Sequence, residues 1–259
     1  MKVENRSSEA ATLARRLTQR FRVASSRYGL IADGDRILVG LSGGKDSLCM
    51  LELLARQSRI YRPRFHVEAL HVRIDSVQYE ADTSYLSAFC ESLGVPLHVV
   101  TTSITPSAVP SADELPTVSH AARKPMCFLC SWNRRKQFFN FAQEHGFNKI
   151  ALGHHQDDLL HTALLNLTFQ GHFSTMPVRL EMRKMPLTII RPLATICEAD
   201  IRTFAQQRGY QPLRKTCPYE TSTRRTAARE LMSHIEALNP EARYSLWHAL
   251  EAAGKLVED

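Results

Sequence analysis

No apolar run in the 259 residues approaches the length that a membrane-spanning helix requires. A helical membrane protein is thereby excluded, and no membrane partner is expected. The first residues, Met1-Lys2-Val3-Glu4-Asn5-Arg6, are polar and lack the apolar core of a secretory signal. A cytoplasmic, reducing setting is the expectation, where the six cysteines would be thiols or metal ligands rather than disulfides. No internal repeat is evident, which leaves out repeat architectures. A Walker A loop, Gly-x-x-x-x-Gly-Lys-Ser/Thr, is also missing, so any nucleotide chemistry must rest on another phosphate-binding device.

What is present fits an ordinary soluble globular chain, with a hydrophobic fraction of 44% and a charged fraction of 23%. The length suits one α/β domain with decorations better than two independent domains. The formal net charge of +7 admits either a polyanionic partner or a basic but inert surface.

One stretch organises the rest. The apolar run Ile37 to Leu41 ends in Ser42-Gly43-Gly44-Lys45-Asp46-Ser47, and a helical segment, Leu48 to Ala55, follows at once. Strand, tight turn and helix start together present backbone N–H groups to a phosphate. Gly43 and Gly44 allow close approach, Lys45 adds a mobile positive charge, Ser42 and Ser47 add hydroxyls, and Asp46 adds a carboxylate beside a metal. The plain alternative is a surface turn. All six positions resemble the PP-loop of the ATP pyrophosphatase superfamily, whose members cleave ATP between the α- and β-phosphates and adenylate a substrate oxygen.

Four further strand candidates follow, at 65–74, 97–104, 149–153 and 187–193, with helical segments at about 45–57, 80–93, 130–145 and 157–170. Alternation of this kind predicts an α/β fold: a parallel sheet of about five strands with helices on both faces. Ligands in such sheets sit at the carboxyl ends of the strands, where Ser42–Ser47 lies. Residues 1–28 read as a basic N-terminal helical extension, 29–236 as the catalytic domain with a cysteine-containing insertion at about 105–135, and 237–259 as a C-terminal helical tail. Within the extension, Leu13, Leu17, Phe21 and Val23 fall near helical spacing among Arg15, Arg16, Arg20 and Arg22. That pattern suits an RNA-facing helix or a lid with a solvated basic face. Residues 105–125 carry four prolines and no apolar period, as a long functional or disordered loop would.

Cys127 and Cys130 form a Cys-x-x-Cys, a spacing that lets two thiolates reach one metal. A helix beginning at or just after Cys130 would favour the thiolates through its dipole. Cys217, in a Pro-flanked loop, is the best third ligand. Cys49, Cys90 and Cys197 read as buried small hydrophobes. A redox dithiol, a structural zinc with His120, His154 or His155 as fourth ligand, and an iron–sulfur cluster on three cysteines all compete, and spacing leaves zinc and cluster level.

A second strand-to-helix turn runs Gly153-His154-His155-Gln156-Asp157-Asp158. Asp157 and Asp158 would serve as helix caps or, near a triphosphate, as holders of Mg²⁺. Basic runs follow both cysteine segments. Arg134 and Arg135 come after the pair, and Arg224, Arg225 and Arg229 come after Cys217. If the cysteines converge, these arginines form a positive rim suited to an RNA backbone; standing apart, each run is a solvated face.

Taken together, Asp33-Gly34-Asp35, Ser42–Ser47, Cys127-x-x-Cys130-Ser131 with Arg134-Arg135, Leu152–Asp158, Ile190-Arg191-Pro192-Leu193 and Cys217 with its following arginines resemble the TtcA-type tRNA 2-thiocytidine synthetases over residues 12–236. The resemblance implies ATP and Mg²⁺ as cofactors, a 4Fe-4S cluster on Cys127, Cys130 and Cys217, and cytidine 32 of the tRNA anticodon loop as substrate. From the ordered motifs, Lys45 and Asp46, with Asp157 or Asp158, are expected as catalytic groups, and Ser42 to Ser47 with Gly153 as the nucleotide site. Arg134, Arg135, Arg224, Arg225 and Arg229 would face tRNA. Sulfur would come from sulfide or from a donor such as a cysteine desulfurase, and a homodimer is admitted. This chain departs from the pattern at Gln156, where Arg is usual, and at Arg214, where many members carry a further cysteine. A PP-loop enzyme that thiolates another tRNA base, and a zinc-stabilised RNA-binding protein without ATP chemistry, are the competing functions.

Overall fold

Side chains that alternate along the apolar strands have to be buried on both sides, and that demand sets the architecture. In the computed structural model, residues 2–75, 83–103, 126–213 and 223–258 are described, with side chains from 9–75, 83–103, 128–213 and 226–258. The loop at 105–125 and the segment around Cys217 lie outside the described residues. In β1 (Arg36–Gly40), Ile37 and Val39 point into one core and Leu38 into another. β2 (His66–Ile74) repeats the division, with Val67 and Ala69 on the first side and Leu70 and Val72 on the second.

The other strands are β3 (Leu97–Thr102), β4 (Lys149–Ala151), β5 (Arg179–Glu181), β6 (Thr188–Ile190) and β7 (Val257–Glu258). The sheet order is β3-β2-β1-β4-β6-β5-β7. β1 pairs in parallel with both β2 and β4, so successive crossovers leave it in opposite directions. Such a switch point opens a crevice above the strand ends. The sheet has seven strands among the described residues, where about five were expected. The additions are β5, antiparallel to β6, and β7, parallel to β5. Three and two residues long, they are too short to carry an alternation signal.

The helices are α1 (Lys2–Arg27), α2 (Lys45–Ser58), α3 (Ser84–Ser92), α4 (Met126–Glu144), α5 (Gln156–Gln170), α6 (Glu198–Gln207), α7 (Thr223–Leu238) and α8 (Ala242–Ala252). The larger core gathers side chains of α1, α2, α3, α5 and α6 against one sheet face. The smaller lies under α4 on the other face, with Ala142, Phe138, Phe139 and Phe141 over Leu38, Leu70 and Ile150. α1 buries Leu13, Leu17, Phe21 and Ala24 and turns Arg16 and Arg20 to Asp200 of α6. α4 begins at Met126, ahead of the expected start at Cys130, because no glycine or proline interrupts 126–130. Among the described residues no helix is long and apolar enough to cross a membrane.

Two buried polar clusters fix the frame. At the foot of β1, Asp35 pairs with Lys149 at 2.7 Å and accepts the Asn148 amide at 2.8 Å. On α2, Glu52 is 1% exposed, accepts the Tyr210 hydroxyl at 2.7 Å and pairs with Arg208 at 2.9 Å. These bonds hold the chain after α6 against α2 and deliver Leu213 to the Ser42–Ser47 turn.

Candidate active site

The turn after β1 is shaped by its glycines. Gly43 has φ +79°, a region that favours glycine, and a Cβ there would lie 2.5 Å from the Leu213 side chain. The Leu213 N–H donates to the Gly43 carbonyl at 2.9 Å. Gly44 caps α2, and its N–H donates to Ser42 Oγ at 3.3 Å. Ser47 Oγ donates to the Gly44 carbonyl at 2.9 Å and lies 3.2 Å from Ser42 Oγ. Across the switch point, a Cβ on Gly153 would sit 3.1 Å from the Ser47 backbone nitrogen, so glycine is what lets the β4–α5 turn meet the start of α2. The result is a concave phosphate-sized cradle at a helix N-terminus.

The cradle opens into a cleft of about 500 Å³ bordered by Ser42, Lys45, Asp46, Gly153, Asp158 and Glu198. Lys45 Nζ lies 3.0 Å from Asp46 Oδ1 and 3.1 Å from Glu198 Oε1. Burial lowers the Lys45 pKa, but the two carboxylates more than offset it and the net shift is upward. Burial would push the Glu198 carboxyl up, yet Lys45 and Arg202 hold it down to about 2. Arg202 Nη2 is 3.2 Å and Arg229 Nη2 is 3.5 Å from Glu198. Glu198 is a site residue that the motifs did not single out. Its signal was available: it opens the helix after a third parallel strand, β6, at the same sheet edge as the other two turns.

The two adjacent aspartates part company. Asp158 borders the cleft and accepts the His155 N–H at 3.1 Å. Asp157 turns away: its Oδ2 accepts the Glu198 N–H at 2.7 Å and its Oδ1 pairs with Arg243 of α8 at 2.9 Å. His155 is buried between them, with Nε2 3.5 Å from Asp158 and 3.9 Å from Asp46. Gln156 is also buried, and its side-chain carbonyl lies 3.5 Å from Arg243 Nη1.

The opposite wall comes from α4. Arg134 and Phe138 line the cleft, and positions 127, 130, 134 and 138 fall on one stripe of that helix. Cys130 is partly exposed and unbridged, about 6 Å along the axis from Arg134 at 1.5 Å per residue. As the crossover before β4, α4 starts at the sheet edge that holds the cradle, and Cys130 lies one helical turn nearer that start than Arg134. The Cys127 side chain and Cys217 lie outside the described residues, as do the side chains of Arg224 and Arg225. Arg229 lines the cleft, whereas Arg135 is exposed and does not. Cys49 and Cys90 are buried, and burial pushes the Cys90 thiol up to about 11. Cys197 is the partly exposed N-cap of α6, not the buried hydrophobe expected, because the preceding turn ends at Ile196.

Among the described residues no group of three or more His, Cys, Asp or Glu side chains is arranged to hold a metal ion by itself. Mg²⁺ does not need such a cage, since one or two carboxylates and substrate phosphates suffice. Asp46 and Asp158 beside the cradle fit that donor set. Cys130 on α4, with Cys127 three residues before it in the same helix and Cys217 in the sequence, is the donor chemistry that a cluster held by three cysteines takes.

A family model described as a PP-loop domain matches residues 10–235. A tRNA-cytidine(32) 2-sulfurtransferase of Chromohalobacter salexigens is 34% identical over 92% of this chain and 81% of its own length. One from Bordetella avium is 35% identical over 93% of this chain and 74% of its own. Among solved structures, the U34-tRNA thiolase NcsA from Methanococcus maripaludis, with its [4Fe-4S] cluster, superposes with a TM-score of 0.74 at 23% identity, over 94% of this chain and 80% of that one. That likeness is one of fold.

Proposed function

The chain belongs to the PP-loop tRNA-cytidine(32) 2-sulfurtransferases, and from this we propose that it replaces the C2 oxygen of cytidine 32 in tRNA by sulfur in an ATP-dependent reaction. The single observation that carries the reading is that one cleft is walled by the phosphate cradle on one side and, on the other, by Arg134 and Phe138 of α4, the helix that carries Cys130 one turn before Arg134.

In the first half-reaction the cytidine C2 oxygen attacks the α-phosphorus of ATP and pyrophosphate leaves. The N–H groups at the start of α2 and the Lys45 ammonium meet the phosphate charge, a stabilisation that needs no reorganisation because the cradle is already formed. Asp46 and Asp158 are the residues that would hold Mg²⁺ against those phosphates. In the second half-reaction sulfur adds to C2 and AMP departs with the original oxygen. Cys127, Cys130 and Cys217 would hold a 4Fe-4S cluster, which would supply Lewis-acid binding of the incoming sulfur. Arg134 and Arg229 at the cleft, with Arg135, Arg224 and Arg225 near the cysteines in sequence, supply cations for the RNA backbone. An anticodon loop presents its bases with little unstacking cost. The proposed sulfur source is sulfide, given directly or released from a cysteine desulfurase persulfide by a two-electron thiol reductant; the cytoplasm is the proposed setting and a homodimer the proposed assembly.

Anaerobically purified protein given ATP, Mg²⁺, sulfide and unmodified tRNA should yield AMP and 2-thiocytidine at position 32, read by nucleoside mass spectrometry. Thiolation of another base would assign the chain to a different tRNA thiolase. A colourless zinc protein that leaves tRNA unchanged would overturn the reading.

A further inference from the structure

Asp157 and Asp158 are neighbours in one helical turn, yet only Asp158 reaches the cleft. Both carboxylate oxygens of Asp157 are engaged elsewhere. Oδ2 accepts the backbone N–H of Glu198 at 2.7 Å, and Oδ1 pairs with Arg243 at 2.9 Å. Arg243 is itself held by Glu236 of α7 at 2.8 Å. The Glu198 N–H belongs to the first residue of α6, a group that no carbonyl of its own helix can satisfy. Capped in this way, α6 starts at a fixed point, and the Glu198 side chain projects from that point to Lys45 Nζ, 3.1 Å away.

We propose that Asp157 and Glu198 are positioning residues for Lys45, linked in the order Arg243, Asp157, Glu198, Lys45. The inference rests on the ATP chemistry proposed above. A lysine ammonium on four rotatable carbons has little orientation of its own. Asp46 is the residue next to Lys45 and moves with it, so it cannot fix the ammonium relative to the β4–α5 side of the cleft. Glu198 can, because it comes from a different strand-to-helix junction. Arg202 and Arg229, at 3.2 and 3.5 Å, neutralise the remaining charge of Glu198 and keep the carboxylate compatible with a nearby triphosphate. The link is internal to the protein: Arg243 borders a separate groove under α1 and α8, not the cleft.

The test is a double-mutant cycle on AMP formation, with binding of a non-hydrolysable ATP analogue measured alongside. Glu198→Gln should lower kcat about a hundredfold, the cost of misplacing a reacting charge by about an ångström. Analogue affinity should stay the same or tighten, since the cradle N–H groups remain and a nearby negative charge is gone. Asp157→Asn should lower kcat in the same direction, and should add less than about twofold once Glu198 is Gln, because the first acts through the second. Glu198→Asp should restore part of kcat. Losses that multiply independently, or an analogue affinity that falls with kcat, would overturn the positioning link while leaving the ATP chemistry standing. Wild-type protein that forms no AMP from ATP and tRNA would overturn the parent reading and this inference with it.

Discussion

The two walls of the cleft are built on different principles. The cradle wall is backbone: N–H groups at the head of α2, a carbonyl bonded to Leu213, and glycines whose missing side chains let two turns touch. It rests on the larger core, where α2 is buried along most of its length. The α4 wall is side chain: Arg134 and Phe138 on a stripe that continues to the cysteine positions, resting on the smaller core. A backbone wall tolerates changes of side chain and fails when its close approaches are filled. A side-chain wall fails one function at a time, as each residue is replaced. The two half-reactions of the proposed chemistry divide along the same line.

Cys130→Ala gives the largest expected separation. Thiolation should fall below detection and the visible absorbance of the cluster should disappear. Binding of an ATP analogue should change less than about threefold, because Cys130 lies a helical turn beyond the cleft-lining Arg134 and is not among the residues of the cradle. Parallel loss of analogue binding would show that the walls are one cooperative unit and break the comparison.

The backbone wall was more legible in the sequence than the other. A continuous apolar run followed by Ser-Gly-Gly-Lys-Asp-Ser declares strand, turn and helix by local chemistry alone, and Gly153 could be read as a close approach before its neighbour was known. What stayed hidden depended on direction or on distance along the chain. Successive helical residues diverge by about 100° around the axis, so nothing local says which of Asp157 and Asp158 faces the cleft. Glu198 looked like any acid in a first helical turn until its helix was placed beside Lys45. β5 and β7 are formed by a chain return, with the Val178 N–H donating to the Leu256 carbonyl at 2.7 Å, and no periodicity in either segment announces it. The cysteine set was legible as chemistry but not as geometry.

Gly153→Ala probes the other wall with a smaller change. The new methyl would meet the Ser47 backbone nitrogen at 3.1 Å and the Asp46 carbonyl carbon at 3.3 Å, and neither is the end of a flexible side chain. The head of α2 must give by a few tenths of an ångström, and AMP formation should fall about tenfold, less than the roughly hundredfold cost of a full ångström of misplacement. Cluster absorbance should be retained. Normal AMP formation would show that the cradle has slack and that its glycine is not a requirement.

Arg229→Ala is expected to have the smallest effect, and it tests a residue that could serve either wall. Its side chain is 64% exposed and its partner Glu198 keeps Lys45 and Arg202, so removing an exposed pair of this kind costs little stability. If the guanidinium serves RNA, the deficit should appear in tRNA affinity. The KM for tRNA should rise severalfold, and the salt dependence of binding should become shallower by about 0.7 to 0.9 for each phosphate no longer neutralised. kcat at saturating tRNA should change by less than about threefold, because a phosphate contact positions the substrate without entering the chemistry. A drop in kcat with an unchanged salt slope would show that Arg229 serves the Glu198 network alone and not the RNA. The cleft would then have three cations committed to one carboxylate, and the RNA would have to be held by α4 and by the arginines nearer Cys217.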